Sequence, residues 1–210
     1  MAMFIKFYPK LFRKDVLGAW NPTGLHRIMP STSMNKFPLP NLLSASRLIL
    51  GPLAAWFIIE NLWLPAAVVL MTAIATDLLD GWLARRWQQT SALGGLIDHG
   101  SDAFMVALML LAEASMGLVP WLLPILVIMA FSQYTLDSKA LVGLPLRASK
   151  LGRYNGIAYF ILAGFPIMQH ALGIYLIPTQ YFYYIAFVLI ATTLISMGER
   201  LWTLIKIRSK

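Results

Sequence analysis

Six apolar stretches follow one another along the chain, each close to the length of a membrane-spanning helix and separated from the next by a short polar segment. They lie at residues 42–60, 63–84, 97–117, 121–142, 154–174 and 180–202. A helix needs roughly 20 mostly apolar residues to cross the hydrocarbon core of a bilayer. The pattern therefore predicts an all-α integral membrane protein with six transmembrane helices.

Composition supports this fold class, because 59% of the residues are hydrophobic and only 12% are charged. The first 36 residues differ from the rest, since basic and aromatic side chains are mixed there, as in the run from Phe4 to Lys14. Such a composition is typical of an amphipathic segment on an anionic membrane surface. We expect a cytoplasmic juxtamembrane segment at residues 1–36 and a six-helix membrane domain at residues 37–210.

The positive charges predict the orientation, because Lys and Arg in short loops stay on the cytoplasmic side. With the N-terminus inside, the cytoplasmic side receives the basic residues of segments 6–36, 85–86, 139–153 and 200–210. The opposite side receives Glu60 and His170, and both termini are then cytoplasmic. The net charge of +8 falls in juxtamembrane clusters, which favours membrane lipids over nucleic acid as the partner.

Four aspartates stand out at the predicted cytoplasmic ends of the second and third stretches: Asp77, Asp80, Asp98 and Asp102. Residues three or four apart on a helix share a face, so each pair faces one way. The link at residues 86–94 is short enough to bring the two helices together antiparallel. We therefore expect all four carboxylates to meet.

A cluster of four unneutralised carboxylates would repel itself and lose charge. Oxygen ligands suit hard cations such as Mg²⁺ or Mn²⁺, and four carboxylates are enough for two ions about 3.5–4 Å apart. The sequence thus predicts a site for two Mg²⁺ or Mn²⁺ ions. A small cation transporter is the alternative, although its carboxylates would be spread over the depth of the bilayer or lie on broken helices.

Small residues share the face of the second stretch that carries the aspartates. Gly81 and Ala84 leave room for a bulky ligand beside the helix backbone, and Arg85 is placed to hold a diphosphate oxygen. Gly81 and Ala84 are also compatible with plain helix packing, and Gly94 with a turn. The pattern favours a phosphate-bearing ligand beside the metals.

These residues form the pattern D-x-x-D-G-x-x-A-R, eight residues, G-x-x-x-D-x-x-x-D, which begins at Asp77 and ends at Asp102. The pattern resembles the signature of the CDP-alcohol phosphotransferases, membrane enzymes of phospholipid synthesis. A second stretch, "PLPNLLSASRLILGP", resembles the segment that opens the first span of that family. It matches at Pro40, Asn41 and Arg47, and Ser44 stands where Thr is commoner.

The resemblance implies a role for each matching residue. Asp77, Asp80 and Asp98 would bind metal, with Asp98 bridging two ions, and Asp102 would act as general base and second-metal ligand. The CDP moiety would be bound by Asn41, Asp77, Asp80, Gly81, Ala84, Arg85 and Gly94. An acceptor hydroxyl would attack the lipid-side phosphate of CDP-diacylglycerol, and CMP would leave.

The resemblance also implies a homodimer. We expect it in a bacterial inner (plasma) membrane, with the active site facing the cytoplasm.

The acceptor alcohol depends on the basic stretch "LRASKLGRYNG" between the fourth and fifth spans. Arg147, Lys150 and Arg153, assisted by Arg200, would bind an acceptor phosphate, although plain cytoplasmic anchoring is the alternative for each. The stretch is similar to the A-S-x-x-G-K-x-K-T of phosphatidylglycerophosphate synthases and departs from it at Asn155 and Gly156.

Asn155 instead resembles the S-K-x-N-T of cardiolipin synthases, whose acceptor is phosphatidylglycerol. A basic pocket favours glycerol 3-phosphate, as in phosphatidylglycerophosphate synthases. Phosphatidylglycerol, inositol phosphate and serine stay open as acceptors.

Overall fold

The computed structural model describes residues 39–87, 92–137 and 149–208, and every predicted apolar stretch corresponds to one α-helix. The helices are α1 (Leu39–Ile59), α2 (Trp63–Arg86), α3 (Ala92–Ser115), α4 (Leu122–Asp137), α5 (Lys150–Leu172) and α6 (Thr179–Arg208). The expected juxtamembrane segment at residues 1–36 lies outside the described residues, so the division into two parts stays a prediction.

Four of the helices are long and apolar enough to cross a membrane. They are Leu39–Ile59, Trp63–Ala84, Gly94–Ser115 and Thr179–Thr203. Helix α4 is apolar but has only 16 residues. Helix α5 has 23 residues, but Asn155, Gln169 and His170 dilute its apolar character. Within residues 39–87, 92–137 and 149–208 the regular structure is thus all helical, with four candidate spans, which is typical of a membrane protein.

Short turns reverse the chain between α1 and α2, between α3 and α4, and between α5 and α6. Asn61, between α1 and α2, has a positive φ of 58°, and Gly173 ends α5 with a φ of 65° in the left-handed conformation. Glycine suits this C-cap because it has no Cβ. The reversals place the beginnings of α1, α3 and α5 and the ends of α2, α4 and α6 at one end of the bundle, which we call the site end.

Contacts between side chains confirm that α4, α5 and α6 meet at the site end. The Oγ atoms of Ser149 and Ser196 are 3.2 Å apart, which joins the start of α5 to the last turns of α6. Arg200 Nη1 lies 3.6 Å from Asp137 Oδ2, which joins α6 to the end of α4. This end of the bundle collects nearly all the charged side chains of the described helices.

Helix α1 lies between α2 and α3 and packs closely against both, whereas α2 and α3 share few close backbone contacts. The expected direct pairing of the two aspartate-bearing helices is therefore wrong, although their carboxylates do meet. A small residue explains the position of α1. A Cβ added to Gly51 would lie only 3.1 Å from the Cα of Met105, so glycine permits the close approach of α1 to α3.

We predict that Gly51→Ala lowers thermal stability in detergent, because the added methyl group meets backbone atoms of α3. Overpacking of this kind costs about 1–3 kcal/mol. The matched control is Gly198→Ala in α6, where an added Cβ has no described atom within 4 Å. The control should melt at or slightly above the wild-type midpoint, and equal midpoints for the two variants would contradict the proposed tight contact.

Candidate active site

The four aspartates come together at the site end, as their spacing predicted. Asp77 and Asp80 lie in the last three turns of α2, and Asp98 and Asp102 lie in the first three turns of α3. Asp77, Asp98 and Asp102 each offer a carboxylate oxygen within 4.8 Å of the other two. Side-chain exposure rises from 4% at Asp77 and Asp80 to 17% at Asp98 and 32% at Asp102.

Arg47 of α1 contacts all four carboxylates and is the centre of the cluster. Its Nη1 contacts Asp102 Oδ1 and lies 3.3 Å from Asp77 Oδ1. Its Nη2 lies 2.5 Å from Asp80 Oδ2 and 3.1 Å from Asp98 Oδ1. The guanidinium is almost fully buried, so it can be stable there only because carboxylates surround it.

Ser44 and His99 complete the contacts around the cluster. Ser44 Oγ lies 2.7 Å from Asp80 Oδ2 and 3.4 Å from Asp98 Oδ1, and it is one helical turn from Arg47 on α1. His99 Nδ1 lies 3.3 Å from Asp98 Oδ2 on the other side. Asp98 is therefore held from two directions, which restricts its rotamer.

Sequence reasoning assigned no role to Arg47, Ser44 or His99. Arg47 and Ser44 were noted only as positions of the pattern that resembles the start of the family's first span. A signal was available for Arg47, because an arginine in the third turn of an apolar helix requires a buried acidic partner.

The cluster has the composition of a site for hard divalent cations. One guanidinium offsets one of the four carboxylate charges and leaves three. Ligand oxygens lie about 2.0–2.1 Å from Mg²⁺ and about 2.3–2.6 Å from Ca²⁺, so two ligands of one ion are separated by up to about 4.2 Å or about 5 Å respectively. The three grouped oxygens lie within 4.8 Å of one another, so a small rotation of the side chains brings them within reach of Mg²⁺. The residues therefore fit a cation ligated by Asp77, Asp98 and Asp102, with Asp80 joined to them through Arg47.

The predicted nucleotide contacts lie on the helices around the cluster. Asn41 is half-buried in the first turn of α1, Gly81 and Ala84 are half-buried near the end of α2, and Gly94 is half-buried near the start of α3. Arg85 belongs to α2, but its side chain lies outside the described part of the structure. Their contacts with CDP stay predictions.

A cavity of about 450 Å³ opens beside the cluster, between α3, α4, α5 and α6. Asp102 is the one aspartate of the cluster that lines it, and His99 lies next to it. Polar groups from the other three helices also line the cavity: Gln133, Tyr134, Asn155, Tyr159, Thr193 and Ser196. The wall of the cavity is mostly apolar, and these polar groups and Asp102 are set into it.

Two of the four residues predicted to bind an acceptor phosphate, Arg153 and Arg200, line this cavity. Lys150 is exposed in the first turn of α5 and is not part of the described lining, and Arg147 lies outside the described residues. Asp137 pairs with Arg200, and the guanidinium carbon of Arg200 lies 5.0 Å from the centre of the Tyr134 ring. These contacts hold Arg200 at the cavity.

Comparison with known proteins finds one family. The profile described as CDP-alcohol phosphatidyltransferase matches residues 37–202. The chain is 36% identical over 104 residues to human cardiolipin synthase (CMP-forming), a match covering 49% of this chain and 33% of the human protein. It is 29% identical over 143 residues to a CDP-diacylglycerol--glycerol-3-phosphate 3-phosphatidyltransferase of Aquifex aeolicus, covering 68% of this chain and 62% of that protein.

A protein of the same printed name from Yersinia enterocolitica is 37% identical over 87 residues, covering 40% of this chain and 48% of that protein. The chain therefore spans between a third and just under two thirds of the length of these relatives.

We predict that Arg47→Met destabilises the protein, because it leaves four carboxylates, two of them buried, without their common partner. Breaking a buried ion pair from one side costs about 3–5 kcal/mol. Millimolar Mg²⁺ should raise the melting midpoint of this variant more than that of the wild type, since the cation replaces the lost positive charge.

The matched control is Arg153→Gln, which removes an exposed arginine and should leave the midpoint nearly unchanged. Thermal unfolding in detergent, with EDTA or with Mg²⁺, measures both effects. Equal midpoints for Arg47→Met and the wild type in EDTA would show that the cluster does not depend on Arg47.

Proposed function

The chain belongs to the CDP-alcohol phosphatidyltransferase family, and from that premise we propose that it transfers a phosphatidyl group from CDP-diacylglycerol to an alcohol. The oxygen of the acceptor hydroxyl forms a bond to the lipid-side phosphorus. The bond between that phosphorus and the departing phosphate oxygen breaks, and CMP leaves. The observation that carries this proposal is the convergence of Asp77, Asp98 and Asp102 beside a cavity that can admit the alcohol.

Asp102 is the proposed general base. It is the most exposed of the four aspartates and the one that lines the cavity. Arg47 binds its Oδ1, so Oδ2 is the oxygen that would take the proton of the acceptor hydroxyl. A base must lie within hydrogen-bond reach of the proton it removes, and the position of Asp102 in the wall of the cavity supports this role.

Asp77, Asp80, Asp98 and Asp102 are the proposed residues that would hold two Mg²⁺ or Mn²⁺ ions. Bound there, the cations would neutralise the charge of the diphosphate. The proposed CDP contacts from Asn41, Gly81, Ala84, Arg85 and Gly94 lie on the three helices that form the cluster. This arrangement supports a donor site on α1, α2 and α3.

Glycerol 3-phosphate is the acceptor that the cavity supports best. Arg153 and Arg200 line it together with Asp102, so a phosphate and a reactive hydroxyl of one small molecule could be bound at the same time. Lys150, in the first turn of α5, would add positive charge, and Arg147 is proposed as a further contact of the phosphate. The Aquifex aeolicus relative, whose printed name contains this acceptor, supports the same choice.

Phosphatidylglycerol is the second candidate acceptor. Two observations favour it: the similarity to human cardiolipin synthase and the presence of Asn155 in the wall of the cavity. In that case the enzyme would act as a cardiolipin synthase with the same cluster and the same base.

We also propose that all six helices span the membrane with both termini and the site end in the cytoplasm. Arg86, Arg153 and Arg200 lie at the site end, whereas Glu60 and His170 lie at the opposite end. This distribution follows the positive-inside rule. A homodimer in a bacterial inner membrane is the proposed setting. With the cluster at one surface, the headgroup of CDP-diacylglycerol would reach it while the acyl chains stay in the bilayer.

An acceptor screen tests the proposed function. The purified protein in detergent, with CDP-diacylglycerol and Mg²⁺ or Mn²⁺, is supplied with glycerol 3-phosphate, phosphatidylglycerol, inositol phosphate or serine. We expect fast CMP release with glycerol 3-phosphate and only slow release, by hydrolysis of the donor, without an acceptor. Release with serine alone would overturn the proposed acceptor but keep the chemistry, and no release with any alcohol would overturn the function.

We predict that Asp102→Asn slows CMP release by about 10²–10⁴-fold, the range expected for loss of a general base. CDP-diacylglycerol binding, measured by equilibrium dialysis of a soluble short-chain form, should change much less. The control is Glu60→Gln at the opposite end of the bundle, which should turn over like the wild type. Normal turnover by Asp102→Asn would assign the base to another group.

A further inference from the structure

We infer that Asn155 and Gln133 recognise the middle hydroxyl of a glycerophosphoryl group in the cavity beside Asp102. This group is the unit phosphate–CH2–CHOH–CH2OH. The inference rests on the proposed function and names the part of the acceptor that two amide side chains would select.

Asn155 supplies a hydrogen-bond donor to the cavity. The residue is 5% exposed and lines the cavity. Its Nδ2 makes no hydrogen bond of normal geometry with the described residues, although the Tyr159 hydroxyl lies near enough to interact with the amide. A buried polar group without a partner destabilises the folded protein. A ligand oxygen in the cavity would remove that cost.

Gln133 supplies a hydrogen-bond acceptor to the same cavity. Its Nε2 donates to the backbone carbonyl of Met197 at 3.0 Å. A carbonyl oxygen can only accept, so this bond fixes which end of the amide is nitrogen. The remaining atom, Oε1, is buried and has no donor partner within the described helices. Gln133 is thus anchored on α6 and presents an oxygen from α4.

A donor and an acceptor without partners in one cavity are complementary to a hydroxyl. A hydroxyl donates one hydrogen bond and accepts others, whereas an ammonium group can only donate. Serine would bring an ammonium group and leave the Asn155 donor without an acceptor there. The two amides therefore favour a polyol over an amino alcohol.

Other polar groups of the cavity would bind the remaining parts of the acceptor. Arg153 and Arg200 provide positive charge for a phosphate, and Asp102 is the proposed base for the reacting hydroxyl. The two arginines, the two amides and Asp102 together match a phosphate, a middle hydroxyl and a terminal hydroxyl. Free glycerol 3-phosphate and the headgroup of phosphatidylglycerol both carry this unit, so the recognition serves either source.

The test compares two acceptors that differ in one hydroxyl. Glycerol 3-phosphate and 1,3-propanediol monophosphate share the phosphate and the terminal hydroxyl, but the second lacks the middle one. Sites built to bind a hydroxyl reject analogues without it by up to about 10⁴–10⁵-fold. We expect the wild type to prefer glycerol 3-phosphate at least about 100-fold in kcat/KM, measured by CMP release.

Asn155→Leu keeps a similar volume but removes the donor. We expect this variant to reduce the preference for glycerol 3-phosphate at least about tenfold, as loss of one hydrogen bond predicts. The reaction with glycerol 3-phosphate should become slower, and the reaction with the analogue should not. The KM for CDP-diacylglycerol should not change. Gln133→Met gives the same test if Asn155→Leu fails to fold. The matched control is Arg153→Gln, which should weaken both acceptors equally because both carry the phosphate.

A second arm distinguishes the sources of the glycerophosphoryl group. Phosphatidylglycerol in mixed micelles replaces glycerol 3-phosphate, and Asn155→Leu should slow whichever of the two the wild type uses. An equal loss for the acceptor and its analogue, or no preference in the wild type, would overturn the inference and leave the proposed function intact. Absence of CMP release with every alcohol would overturn the proposed function and the inference together.

Discussion

The contact of one guanidinium with four carboxylates is the interaction on which this structure depends. Arg47, Asp77, Asp80, Asp98 and Asp102 are all charged groups in an apolar bundle, and none could be buried alone at an acceptable cost in free energy. Their partnership requires α1 to lie between α2 and α3. That position in turn requires a residue without a side chain at Gly51, where α1 approaches α3 most closely.

The bundle divides into a part that holds the charged cluster and a part that forms the cavity. Helices α1, α2 and α3 carry Arg47 and the four aspartates. Helices α4, α5 and α6 supply most of the polar side chains that line the cavity. Asp102 belongs to both parts. On the proposed function, the donor would be bound by the first three helices and the alcohol selected by the last three, so acceptor preference could change without altering the metal ligands.

The sequence predicted the helices and the aspartate cluster because both depend on local spacing. Apolar length defines a span, and residues at i, i+3 and i+4 share a face, as Asp98 and Asp102 do. It could not predict that α1 lies between α2 and α3, because the spacing of residues within one helix does not show which other helix packs against it. For the same reason it did not identify Gln133, whose orientation depends on a carbonyl of α6. Spacing also grouped Lys150 with Arg153, yet of these two residues Arg153 lines the cavity and Lys150 is not part of its described lining.

The gradient of exposure across the four carboxylates has a consequence for side reactions. Asp102, at 32% side-chain exposure, is far more open to the cavity than Asp77 or Asp80, at 4%. A base that can activate an alcohol can also activate water, and exclusion of water is how enzymes suppress hydrolysis of a reactive donor. An alcohol that fills the cavity would therefore be the substrate and would also displace water from Asp102. The donor would be hydrolysed most readily while the cavity is empty.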